Sequence, residues 1–140
     1  MYKPKHFKAH ELVPPEIYKK WGDRSFMFID DRLLRLIDAL RDEFGSATIN
    51  NYKYGGDRQW SGLRTNGSPY YSRTSQHSFG RAADIIFSNI DAEQVRGEIK
   101  EDPQFWLNSA GCDSITLEDG VSWVHVDVRN GAKGINSFSP

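Results

Sequence analysis

Four histidines occur in the chain, at positions 6, 10, 77 and 125, and two of them stand in company suited to chemistry. His77 lies in Ser75-Gln76-His77-Ser78-Phe79-Gly80-Arg81-Ala82-Ala83-Asp84, and His125 in Trp123-Val124-His125-Val126-Asp127-Val128-Arg129. Successive side chains of an extended strand face opposite ways. Val124, Val126 and Val128 then point together into a core, while Trp123, His125, Asp127 and Arg129 share the other face. A tryptophan suits a merely solvated face poorly, so that second face reads as a cleft. Asp84 interrupts an apolar run from Ala82 to Phe87. A carboxylate there is costly to bury unless it is paired, hydrogen-bonded or bound to metal. Gly80 permits a turn that folds a loop histidine back over this run, and small Ala82 and Ala83 leave room around Asp84. Two imidazoles and a carboxylate are a donor set that zinc accepts, with a fourth position left for water in a catalytic site. His77, Asp84 and His125 are the candidate metal ligands; His6 and His10 are expected to be ordinary surface residues.

The elements that must hold these groups are legible in outline. Leu33, Leu34, Ile37, Leu40 and Phe44 recur at helical spacing and predict a helix from Asp31 to Phe44, with Asp30 or Asp31 as its cap and Gly45 at its end. The segment before it, Met1 to Trp21, reads as irregular, broken by Pro14-Pro15, with a short helix from Glu16 to Trp21. Strands are expected at 47–52, 82–87, 114–117 and 121–129, the last two joined as a hairpin through Glu118-Asp119-Gly120. A helix starts at Asn89 or Asp91, and another runs from Pro103 to Ala110 with Gly111 as its stop. Asp57 to Arg73, rich in Gly, Ser, Asn, Arg and Tyr, reads as a long loop of functional character. This order predicts an α+β domain with a mostly antiparallel sheet.

Bulk composition narrows the function classes. The 140 residues suit one domain, 1–140, able to bury a core without staples. A net charge of -1 argues against a general electrostatic grip on nucleic acid. The single cysteine, Cys112, forms no intrachain disulfide and is expected to serve as a small buried hydrophobe. No apolar run reaches the length of a membrane span, and the polar first residues lack a signal-peptide core, so the expectation is a monomer made in the cytoplasm.

The pattern Ser-x-His-x-x-Gly-x-Ala-x-Asp, filled by Ser75, His77, Gly80, Ala82 and Asp84, and the later Trp123-x-His125-x-Asp127 resemble the zinc D-Ala-D-Ala carboxypeptidase family. That family shares a fold with bacterial L-alanyl-D-glutamate endopeptidases, murein DD-endopeptidases and the Hedgehog signalling domain, and includes phage lysis enzymes. The likeness spans about half the chain, from Ser61 to Arg129; Phe7 to Pro15 is similar, less specifically, to the openings of small phage-type members. It implies a Hedgehog/DD-peptidase-like fold, zinc on His77, Asp84 and His125, and hydrolysis of a peptide bond in peptidoglycan by a carboxypeptidase or endopeptidase. Such a protein acts on the wall after release from the cell or as part of a virion. Arg64 in Ser61-Gly62-Leu63-Arg64 matches the family's Ser-Gly-Tyr-Arg, with Leu63 replacing the aromatic, and is the implied substrate-binding arginine.

One departure bears on catalysis. Many members carry an acid three residues before the last histidine, where this chain has Ser122. Asp127, on the face of His125, is then the first candidate for the general base, with Glu118 and Asp119 as weaker candidates. Asp127 could alternatively orient a metal ligand. Trp123, Tyr70 and Tyr71 are candidate cleft walls. The competing function is a non-catalytic zinc domain of the same fold, serving in wall binding or as a structural part of a virion.

Overall fold

Apolar spacing and capping account for most of the secondary structure in the computed structural model, which describes residues 1–140. Four helices form: α1 (Pro15–Trp21), α2 (Asp31–Phe44), α3 (Ala92–Glu101) and α4 (Pro103–Ala110). Five strands form: β1 (Ala47–Thr48), β2 (Ala82–Phe87), β3 (Ser114–Glu118), β4 (Val124–Asp127) and β5 (Gly134–Phe138). They make one sheet in the order β1-β2-β4-β3-β5, antiparallel at every pairing except the parallel β3–β5 edge. The fold is therefore α+β with a mostly antiparallel sheet.

Helix α2 lies at the centre of the core. Asp30 caps it by accepting the Arg32 N–H at 2.9 Å. Leu34, Leu36, Ile37 and Leu40 are fully buried and join Ala83, Ile85, Ile115, Leu117, Val124 and Val126 of the sheet in one cluster. Each large aliphatic side chain so buried contributes on the order of 1.5–3 kcal/mol. On the same helix, Asp38 is also buried and accepts bonds from the Tyr2 hydroxyl at 2.7 Å and the Lys5 and His6 N–H groups at 2.8 and 3.1 Å. That carboxylate ties the first residues onto α2, and its bond to Tyr2 raises the phenol pKa to about 12. Phe7, Leu12 and Val13 continue into the core, so the opening segment is irregular but firmly packed.

Two expected strands differ in extent, and one strand is additional. The segment 47–52 pairs only at Ala47 and Thr48, because Asn50 turns its side chain to the Val13 carbonyl and the Ser61 N–H instead. The segment 121–129 is extended only over Val124–Asp127, since the Val121 and Trp123 carbonyls accept from the Arg96 guanidinium. Strand β5 was not expected: its burial is partial and shows no strict alternation, and pairing with β3 creates it. No helix is long and apolar enough to cross a membrane.

Candidate metal centre

The sheet register builds half of the site. Asp84 on β2 faces His125 on β4 directly across the pair, and Ala82 faces Asp127. Two directly opposed residues share one face of the sheet, so the strand alternation alone sets Asp84 beside His125. Val124, Val126 and Val128 point the other way and are buried in the core, as the alternation predicts.

The other half comes from a short 3-10 turn, Gln76–Phe79, that carries His77 over the end of β2. Ser75 caps this turn by accepting the His77 N–H at 3.3 Å. Gly80 leaves it with φ +69°, and a Cβ there would run into the Phe28 carbonyl. Ser61-Gly62-Leu63-Arg64 stitches the parts together. The Ser61 carbonyl takes the Asp84 N–H at 2.8 Å, Leu63 donates to the Leu12 carbonyl at 2.9 Å, and Arg64 donates to the His77 carbonyl at 3.1 Å. Gly62 passes so close to Leu12 that a Cβ would collide with the backbone. Leu63 is buried in the core. The residue standing where an aromatic was the family pattern is thus a packing residue.

His77, Asp84 and His125 converge, all buried, with their ligand atoms within 4.8 Å of one another. Asp84 Oδ1 lies 2.9 Å from His125 Nδ1 and 3.3 Å from His77 Nε2. The remaining ring nitrogens point outward to fixed acceptors. His77 Nδ1 meets the Gly62 carbonyl at 2.9 Å, and His125 Nε2 meets Asp127 Oδ2 at 2.8 Å. A ring that donates from its far nitrogen leaves the near one as a lone pair, which is how histidine ligands are oriented. The donors therefore fit a bound cation, and the group could hold a metal ion.

Charges follow this geometry. Burial works to raise the pKa of Asp84, but hydrogen bonds with His125 and His77 outweigh it and hold the carboxyl far below the usual range. Burial works to lower His125, but Asp127 and Asp84 prevail and lift it to about 9. Asp127 is likewise depressed: burial opposes ionisation, and bonds from Arg129 and His125 overcome it. Arg129 grips Asp127 through Nε at 2.8 Å and a terminal nitrogen at 2.5 Å.

Around the cluster opens a cavity of about 280 Å³, to which Arg64, Glu118, Trp123 and Phe138 contribute with the three ligand residues. A second, of about 440 Å³, shares Arg64, Asp84 and Trp123 with it and is walled by Trp60 and Tyr70. The largest cavity, about 780 Å³, lies elsewhere, between α3 and the loop before β4. On its walls Lys100 bonds Asp119 at 2.9 Å and Arg96 bonds the loop carbonyls of Val121 and Trp123.

The sequence candidates divide accordingly. Arg64 sits at the cluster, its terminal nitrogen 3.1 Å from Asp84 Oδ2 and its Nε 2.7 Å from the Trp60 carbonyl. Asp127 is fully buried on the far side of His125, away from the nitrogen that faces Asp84. Of its two weighed roles, that position favours orienting the ring. Glu118 lines the ligand cavity, whereas Asp119 is engaged by Lys100 and Ser122 lines the large cavity instead. Tyr70 walls the second cavity; Tyr71 lines neither of the two. His6 pairs with Asp42 at the surface. His10 is a correction: it is buried, edge-on between Tyr18 and Tyr54, because the α1 and 52–54 segments fold over it. Phe138 was missed. It reaches the site from β5, its ring 5.6 Å from that of His125, and only recognition of that strand could have found it. Compared with protein families, curated proteins and solved structures, the chain matches none.

Proposed function

We propose that this protein is a zinc-dependent peptidase of the Hedgehog/DD-peptidase type that hydrolyses a peptide bond in bacterial peptidoglycan. The observation that carries the reading is the inward-facing triad of His77 Nε2, Asp84 Oδ1 and His125 Nδ1, each ring held from behind by a protein acceptor. Zinc bonds of about 2.0–2.2 Å would set tetrahedral ligand atoms about 3.3 Å apart, close to the 2.9 and 3.3 Å found. Two histidines, one carboxylate and no cysteine at the cluster also suit a catalytic rather than a closed structural ion. Zinc bound there would make a water acidic near neutral pH and polarise the scissile carbonyl.

The chain's own groups supply the rest. Glu118, on the wall of the same cavity, takes the proton of the attacking water and returns it to the leaving amine. Its carboxylate forms no ion pair that would restrain it, unlike Asp127, which is committed to His125 and Arg129. Arg64 orients the substrate, with a planar fork suited to a carboxylate or carbonyl oxygen. Trp123 and Phe138 line the same cavity and offer it apolar surface.

The deciding experiment incubates zinc-loaded protein with purified peptidoglycan and identifies the released fragments by mass spectrometry. Release of new amino and carboxyl termini at one bond type is expected, and Glu118→Gln should slow it by about 100- to 10,000-fold. Zinc binding without release of any fragment would instead favour the non-catalytic wall-binding domain, for which the displaced Ser122 speaks.

A further inference from the structure

We propose that the face built by the end of α1, the 3-10 segment Gly22–Phe28 and the outer side of the His77 turn is a docking surface for an anionic lipid bilayer. The protein sits on it peripherally, with Trp21, Met27 and Phe79 in the headgroup region. This docking depends on neither the ion nor the peptide held at the cluster.

Two segments distant in sequence bring apolar side chains to this face. Trp21 ends α1 and packs edge-on against Phe28, their ring centroids 5.6 Å apart. The Phe28 carbonyl lies where a Cβ on Gly80 would stand, and the Asp30 N–H donates to the Gly80 carbonyl at 2.9 Å, which fastens the two segments to each other. Phe79, the neighbour of Gly80, is 52% exposed, and Met27, the neighbour of Phe28, is 48% exposed. A lone exposed apolar side chain calls for no explanation; two of them beside a half-buried aromatic pair form a patch. His77, in the same four-residue turn as Phe79, is buried, so the turn gives its histidine to the cluster and its phenylalanine to the outside.

Trp21 and Phe79 each carry cations. Lys20 Nζ and the Arg24 guanidinium lie 5.6 and 5.2 Å from the Trp21 ring, and the Arg81 guanidinium lies 5.5 Å from the Phe79 ring. Lys20 and Arg24 are exposed and form no ion pair. Arg81 has only a long one, to Asp30 at 3.9 Å, and Asp30 is held more closely by Arg32 at 2.8 Å. Asp23 is the one acid of the 22–28 segment, so the face is basic although the whole chain carries -1. Other acids gather elsewhere, Glu43, Glu98, Glu101 and Asp102 around one cavity at α4. Apolar tips flanked by cations suit a bilayer interface: rings and thioether enter the headgroup boundary, while the long basic side chains keep their charges among lipid phosphates. Met27 and Phe79 line none of the cavities at the cluster, beside α3, at α4 or next to Cys112, so the patch offers tips to a broad surface and no groove to a polymer strand. A second copy fits less well, because a twofold contact sets the same basic residues against one another.

The test sediments the protein at low salt with vesicles of equal parts phosphatidylglycerol and phosphatidylcholine, and with vesicles of phosphatidylcholine alone. The anionic vesicles should bind it about 10-fold more tightly or better, since each Lys or Arg near such a surface contributes about five-fold. Raising the salt to about 0.5 M should release most of it. Lys20→Gln combined with Arg24→Gln should weaken binding to the anionic vesicles by about 10- to 30-fold. Met27→Ser combined with Phe79→Ser should weaken it by about 10-fold. All four side chains are exposed, so both variants should keep the wild-type melting midpoint. As a second measurement, brominated phosphatidylglycerol should quench part of the tryptophan fluorescence, and Trp21→Phe should remove that quenching. Equal binding to both vesicles, no binding to either, undiminished binding by the Lys20, Arg24 variant, or quenching that survives Trp21→Phe overturns the surface. So does undiminished binding by the Met27, Phe79 variant together with competition by soluble polyphosphate, which would make the partner a polyanion in solution.

Discussion

His77 and His125 aim their nitrogens at one point from different scaffolds. His77 rides on a four-residue 3-10 turn, and its outer nitrogen rests on a backbone carbonyl, that of Gly62. His125 sits mid-strand, and its outer nitrogen rests on a buried carboxylate that is itself clamped by Arg129. A peptide carbonyl carries no net charge and cannot be removed by changing a side chain; it can only be displaced. A carboxylate makes the ring more basic and can be deleted outright. The turn thus contributes fixed geometry, and the strand contributes charge that tunes the ligand.

The severest test of this comparison removes the residues that both scaffolds serve. Asp84→Ala, His77→Ala and His125→Ala should each take the purified protein from about one zinc per chain to none retained after dialysis. Full retention by any two of them in elemental analysis refutes the ligand set. Next, Asp127→Asn keeps the shape of the strand-side support and removes its charge. Zinc affinity should fall about 10- to 100-fold, measured by competition with a chelating dye. A large loss of turnover at unchanged affinity would return Asp127 to the role of general base. On the turn side, Gly62→Ala pushes the supporting carbonyl away from Leu12 and should destabilise the fold by about 1–3 kcal/mol, read from denaturant melts. An unchanged midpoint would mean that the turn is held by something other than this close approach.

The mildest effect distinguishes the charge on the strand side. In the metal-free protein His125 has a pKa of about 9, above its unfolded value of about 6.5. Its contribution to stability is therefore fully present below about pH 6.5 and is lost as pH rises through about 9. Zinc needs the neutral ring, so its apparent affinity should rise across the same window with release of a proton. The melting temperature of the metal-free protein should thus fall from about pH 6.5 to 9, while that of the zinc-loaded protein, in which His125 carries no proton folded or unfolded, should stay level across the same window. Parallel slopes would show that His125 does not titrate in this window.

How far the sequence revealed this follows from which contacts are local. The β4 face was legible because alternation is a property of the strand itself, and α2 because its stripe and cap lie within about four turns of chain. Asp84 stood out because a carboxylate in an apolar run demands a partner. Glu118 ranked low among the candidates for the base, since nothing in its neighbours shows that the end of β3 opens onto the ligand cavity. Phe138 and the burial of His10 were invisible for a similar reason: each depends on a pairing or a fold-over between distant segments. Strand 47–52 was overextended because propensity cannot show that Asn50 is spent on bridging Val13 and Ser61.

The stitching of Ser61–Arg64 has a kinetic consequence. The contacts that close the site span 15 residues from Gly62 to His77, 20 from Arg64 to Asp84 and 41 from Asp84 to His125. Their backbone support reaches back further, from Leu63 to Leu12. Contacts so distant along the chain require loop closures whose entropy is lost before any bond is gained. By this argument His77, Asp84 and His125 come together only when the opening segment has docked and β4 has paired with β2, near the end of folding. No excised peptide bearing the His77 or His125 motif should reproduce the cation site, and the appearance of tight metal binding during refolding would time the last step rather than the first.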